Sequence, residues 1–96
     1  MEYICPICGY DGLTDQPWNE YGGSSDEICP SCGIQFGYDD DVADHDILAR
    51  NRIWEEWRVK WVENGMQWAS MGIPRPSDWD PVKQLKNVKG RGEEAL

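Results

Sequence analysis

The chain has 96 residues, a formal net charge of −9 and no Lys or Arg before Arg50. So short a chain buries little apolar surface and needs a staple such as a metal ion to be comfortably stable. Its first 49 residues carry 11 carboxylates and no cation, which excludes from that half the phosphate-neutralising surface that nucleic acids and anionic membranes require.

Two Cys-Pro-x-Cys-Gly knuckles, Cys5 to Gly9 and Cys29 to Gly33, dominate residues 3–38. Each Cys-x-x-Cys turns two sulfurs toward one ion, and the following Gly permits the positive φ that this turn needs. Cys5, Cys8, Cys29 and Cys32 therefore form a candidate tetrahedral site with no open position, which folds a protein and does not catalyse. Two disulfides, or free buried thiols, are the competing uses of four Cys. The start Met1-Glu2-Tyr3-Ile4-Cys5 has neither the basic nor the apolar region of an export signal, so reduced thiols in the cytoplasm are expected. Zinc is the expected ion, because no motif for a second redox centre accompanies the site, and iron is the alternative for the same ligands. Four thiolates and one divalent ion make the chain two charges more negative.

Between the knuckles, Gln16-Pro17-Trp18 and Tyr21 to Ser25 are turn-rich. Gly33 to Tyr38 alternates as a short strand would. Asp39-Asp40-Asp41 marks a boundary, and a helix is expected over 44–64, capped by Asp41 or Asp44 and ended by Gly65. Ile47, Trp54, Trp57 and Trp61 fall on one face of it, and Arg52, Glu56 and Lys60 lie one turn apart on a solvated one. The Trp face is expected to pack on the metal module and on Trp68 or Trp79, with an exposed binding stripe as the alternative. Residues 66–87 form an irregular wrapping segment in which Asp80-Pro81 starts a short helix from Val82 to about Lys86. The tail 89–96 is expected to fray, leaving 1–88 as one domain.

Five aspartates, Asp39, Asp40, Asp41, Asp44 and Asp46, crowd the helix start. They fail the EF-hand template, since a loop begun at Asp39 places Asp44 where Gly is needed and Arg50 where Glu is needed. Two uses remain: complementing the helix dipole, or a contact surface for a basic protein. His45, the single histidine, sits among them as a solvent-exposed residue of the first helical turn, or as a base or an outer metal ligand. No nucleophile, Gly-rich phosphate loop or catalytic constellation accompanies it, so enzymatic activity is not expected.

Tyr3-x-Cys5-x-x-Cys8-Gly9-Tyr10 with Cys29-Pro30-x-Cys32-Gly33 resembles the rubredoxin pattern over about the first third of the chain, and both knuckles equally resemble zinc ribbons. Over its whole length the chain resembles a family of small bacterial Cys-Pro-x-Cys-Gly proteins. The matching stretches are Cys5 to Tyr10, Glu27 to Asp40, the Trp-rich stretch around Trp54 to Trp68, and Trp79 to Leu85. The resemblance implies a small metal-stapled α+β fold: a four-Cys zinc ribbon, one long packed helix and an irregular C-terminal segment. Some such acidic proteins lie beside toxin genes, which implies an immunity role. The chain is thus read as a zinc-binding acidic interaction module for a basic protein such as a toxin or nuclease. A rubredoxin-type electron carrier is the rival. A nucleic-acid-binding ribbon requires Arg50, Arg52, Arg58, Lys60 and Lys83 to share one face.

Overall fold

In the computed structural model, residues 3–88 are described; the tail expected to fray lies outside them. Apolar residues are few, and the fully buried side chains are mainly those of the knuckles and their flanks: Cys5, Cys8 and Cys29 with Ile7, Leu13, Ile34 and Phe36. The sulfurs thus form part of the core, onto which the rest of the chain folds.

Each knuckle is closed by backbone bonds rather than by a ladder. The Gly9 N–H donates to the Cys5 carbonyl at 3.0 Å and the Cys5 N–H to the Tyr10 carbonyl at 2.7 Å. The second knuckle repeats this with Gly33 to Cys29 at 2.8 Å and Cys29 to Ile34 at 2.9 Å. Isolated antiparallel bridges join Tyr3 to Leu13, Trp18 to Ser24 and Ile28 to Gln35. Gly9 and Gly33 have φ of +85° and +83°, as the motif requires. A Cβ on Gly9 would also collide with the Gln84 carbonyl, and one on Gly33 would crowd the Ala69 Cβ at 3.2 Å, because the C-terminal segment passes directly over both turns.

The strand expected over Gly33 to Tyr38 does not extend beyond the Gln35 bridge. Two carboxylates bend it into turns. Asp39 Oδ2 accepts from the Gln35 N–H at 2.8 Å, and Asp40 Oδ1 from the Gly37 N–H at 2.7 Å. Short polar side chains that bond nearby amides compete with strand pairing in this way.

The long helix, α1, spans Ile47–Glu63. It starts later than expected because Asp44 and His45 take left-handed backbone, with φ of 56° and 53°, within a 3-10 turn at Ala43–His45. Asp46, rather than Asp41 or Asp44, is the cap: its Oδ1 accepts from the Ala49 N–H at 3.1 Å. Three aspartates offer the same capping chemistry, so tertiary contacts decide which one is used. Gly65 ends α1 as expected. The bonds Met66 N–H to Trp61 carbonyl and Gly65 N–H to Val62 carbonyl form the double closure that a left-handed Gly makes possible.

The buried face of α1 differs from the expected one at its start. Ile47 is 67% exposed, and Arg50, buried, takes its place ahead of Trp54, Trp57 and Trp61. The Trp face packs on the knuckle core, with Trp61 buried and Trp54 and Trp57 partly so. After Gly65 the chain returns across the knuckles. Trp68 meets Tyr10 and Trp79 edge-on at 5.6 and 5.3 Å, and Trp79 reaches Trp61 at 6.5 Å. Helix α2, Pro81–Leu85, begins one residue before its expected position, with Asp80 Oδ1 accepting from the Lys83 N–H. Among the described residues no helix is long and apolar enough to cross a membrane.

Candidate metal centre

The two knuckles face each other and bring Cys5, Cys8, Cys29 and Cys32 together with all four sulfurs within 4.8 Å of one another. Cys5 and Cys32 stand 3.9 Å apart and Cys8 and Cys29 3.7 Å apart, with no disulfide between them. A tetrahedral ion at the usual zinc–sulfur distance of about 2.3 Å requires sulfurs about 3.8 Å apart. The cluster therefore fits a single metal ion. Three of the cysteines are fully buried and Cys32 is 6% exposed, so the arrangement is closed.

The protonation pattern points the same way. Burial foremost pushes the Cys5 thiol well above its ordinary range, and the hydrogen bond with Cys29 foremost does the same to Cys32. Burial opposes ionisation of Cys8 too, yet its pKa is lowered, because hydrogen bonds from Cys29, Cys32, Cys5 and Ser31 converge on it. By itself the cluster favours a thiolate at Cys8 and disfavours one at Cys5 and Cys32. Four thiolates in so small a buried volume need a cation.

A shell of residues from the C-terminal half holds the knuckles from outside. Every carbonyl from Pro6 to Gly9 accepts a side-chain hydrogen bond: Arg58 Nη2 donates to Pro6 at 3.0 Å and Arg58 Nε to Ile7 at 2.7 Å. Gln84 Nε2 donates to Cys8 and Asn87 Nδ2 to Gly9, both at 3.1 Å. The same Gln84 amide group donates to Ser31 Oγ at 3.0 Å, so one side chain ties both knuckles, and its Oε1 accepts from Trp79 Nε1 at 2.7 Å. On the second knuckle, Trp57 Nε1 donates to the Cys32 carbonyl at 2.9 Å, and the Ala69 and Ser70 N–H groups donate to the Pro30 carbonyl. Outer contacts of this kind fix ligand orientation, and the Arg58 guanidinium places positive charge beside a site whose four thiolates outweigh a divalent ion. At sulfur itself, the Ile7 N–H approaches Cys5 Sγ at 3.4 Å.

The five aspartates do not form one surface. Asp40 is fully buried: its Oδ2 accepts from Trp18 Nε1 at 2.9 Å and from Trp54 Nε1 at 2.7 Å. Its backbone carbonyl accepts from Arg50 Nε at 3.2 Å, and the Arg50 guanidinium lies 3.6 Å from the centroid of the Trp18 ring. Asp40 is thus a latch between the loop of residues 16–18 and α1, and it is withdrawn from any partner. Asp39 is tied to Gln35 and Asp46 to the start of α1, whereas Asp41 and Asp44 are exposed. Among the described residues the four cysteines are the group of His, Cys, Asp or Glu side chains placed to share a metal ion, so the aspartates make no second centre. His45 is exposed and precedes α1, its ring beside Gly22. The five cations considered for nucleic acid do not share one exposed face. Arg50 is buried and Arg58 is engaged on knuckle carbonyls, while Arg52, Lys60 and Lys83 are exposed.

Arg58, Gln84 and Asn87 escaped the sequence reading as parts of the site. The sequence offers Arg58 only as one of five cations that could meet a nucleic acid, and a carbonyl acceptor leaves no mark on composition. The Trp79 to Leu85 stretch, which contains Gln84, was the available signal.

Two proteins of Bacillus subtilis strain 168 are similar in sequence. YozI is 36% identical over 77 residues, which cover 71% of this chain and 63% of YozI. YoaQ is 40% identical over 96 residues, covering 88% of this chain and 72% of YoaQ. Both are uncharacterized proteins, and the chain spans 63% of the length of the first of them. No family model matches the chain, and no solved structure does. The chain belongs to the family of YoaQ.

Proposed function

We propose that this protein holds one structural zinc ion at Cys5, Cys8, Cys29 and Cys32, and that the domain so stapled is an acidic module that covers a basic surface on another protein. An immunity protein or inhibitor seated on the cleft of a toxin or nuclease is the biological form of that reading. The observation behind it is the closed, buried sulfur cluster, whose geometry suits folding and leaves no position for a substrate. The uneven charge supports the second half: 11 carboxylates and no cation in the first 49 residues, with Asp11, Asp15, Glu20, Asp26, Asp41 and Asp44 exposed. A non-enzymatic role in a reducing cytoplasm is part of the same proposal, since thiols at metal-ligand spacing stay reduced there.

Elemental analysis and absorbance of protein purified without added metal test the first half. One zinc per chain and no visible colour support it. One iron per chain with visible charge-transfer bands replaces it with an electron carrier on the same four sulfurs. Binding to an oligo-arginine peptide, measured by calorimetry across a salt series, tests the second half: binding that weakens with salt supports it, and no binding at low salt overturns it.

A further inference from the structure

A cavity of about 420 Å³ opens between the first knuckle, the loop of residues 16–18 and α1. Tyr3, Pro6, Pro17, Trp18 and Trp54 line it together with Ile4, Gln16 and Asn87, and among the described residues no charged side chain does. Two features set it apart from a plain apolar hollow. The indole N–H groups of Trp18 and Trp54 both donate to one oxygen of the buried Asp40, which fixes both rings and occupies their polar atoms. A hydrogen bond to a carboxylate also pushes electron density into an indole, and electron-rich rings attract cations at their faces. The Arg50 guanidinium, 3.6 Å from the Trp18 centroid, shows that chemistry already in use within the fold.

We infer that this cavity receives a Lys or Arg side chain of a basic partner protein. The inference rests on the acidic-module reading above and assigns that module a specific pocket. Charge complementarity selects the occupant: six of the eight described lining residues come from the half of the chain that has 11 carboxylates and no cation, whose summed field concentrates positive groups. A neutral proline-rich segment fits less well, because neither indole N–H is available to a peptide carbonyl.

The test is an NMR titration of the intact, metal-loaded protein at 150 mM NaCl, following the six Trp indole N–H resonances. The probes are a hexa-arginine peptide, the isosteric hexa-citrulline peptide and a neutral proline-rich peptide. The expected result is saturable shifts of Trp18 and Trp54 with hexa-arginine alone. Tyr3→Leu, which removes one aromatic wall without touching Asp40, is expected to weaken hexa-arginine binding at least 5-fold while melting temperature and metal content stay unchanged. Should that variant lose its fold, Pro17→Ala provides the same readout at another lining residue. Binding of hexa-arginine that leaves both indoles unmoved and is insensitive to Tyr3→Leu would overturn the pocket and spare the acidic-module reading. Absence of binding at any salt would overturn both, and shifts caused by the proline-rich or citrulline peptide would overturn the cationic occupant.

Discussion

Gln84 donates its side-chain amide to the carbonyl of Cys8, 76 positions away, and so joins the last helix to the first metal knuckle. It makes the metal module and the C-terminal segment one unit in which ion binding and packing are coupled. Gln84→Ala removes donors from Cys8 and Ser31 and strands the Trp79 indole. The expected cost is about 1–3 kcal/mol in urea unfolding of the metal-loaded protein. Faster metal transfer to a chelator should accompany it, since outer contacts hold ligands in place. Lys83→Ala, an exposed neighbour, should change stability by less than about 0.5 kcal/mol. Equal effects of the two substitutions would show that the clasp is energetically idle.

Asp40 gives the sharpest contrast among the aspartates. Asp40→Ala leaves three N–H groups, those of Gly37, Trp18 and Trp54, without their acceptor. Roughly 3 kcal/mol of destabilisation is expected, because a lost charged acceptor leaves buried donors unsatisfied. Asp40→Asn keeps one carbonyl oxygen and should lose less. Asp41→Asn, on an exposed side chain, should lose almost nothing. Chemical denaturation of the three variants checks the order, and equal stabilities for Asp40→Ala and Asp41→Asn would contradict the latch.

Metal removal should unfold the knuckles rather than loosen them. Cys29 is fully buried in the cluster, and Cys29→Ser withdraws a thiolate from a site whose binding free energy is largely folding free energy. Bound metal and the cooperative melt are expected to disappear together. Chelation of the wild-type protein should also change tryptophan emission, because Trp57 is bonded to the Cys32 carbonyl. A Ser variant that melts cooperatively without metal would refute the staple.

The sequence showed clearly whatever depends on local chemistry. Cys spacing placed the four sulfurs, Gly65 placed the end of α1, and Asp80-Pro81 placed the start of α2 within a residue. It misled where tertiary bonds decide between equivalent local options. Ile47 shares the Trp helical face but stays exposed, because Arg50 reaches Asp40 and Trp18 from the neighbouring position. Asp40 reads like its neighbours Asp39 and Asp41, and only the approach of two indoles from residues 22 positions before it and 14 after it makes it a buried latch. The six tryptophans were legible as packing material, but their acceptors were not. All six indole N–H groups find one, four on backbone or side-chain oxygens outside Asp40.

With Asp40 buried, and Asp39 and Asp46 tied to backbone N–H groups, Asp41 and Asp44 are the carboxylates near α1 that can be neutralised without touching a cap or a turn. Both are exposed, and Asn suits the left-handed backbone of Asp44 about as well as Asp does. The double variant Asp41→Asn/Asp44→Asn should therefore fold with unchanged stability, within about 0.5 kcal/mol. Exposed charges act chiefly on encounter. Stopped-flow mixing with the hexa-arginine peptide should show association slowed several-fold at low salt, little change in dissociation, and convergence with wild type as salt rises. Screening over roughly 10 Å at 0.1 M ionic strength accounts for that convergence. A variant whose dissociation accelerates while its association holds would place these carboxylates in direct contact with the peptide instead of in the field that steers it.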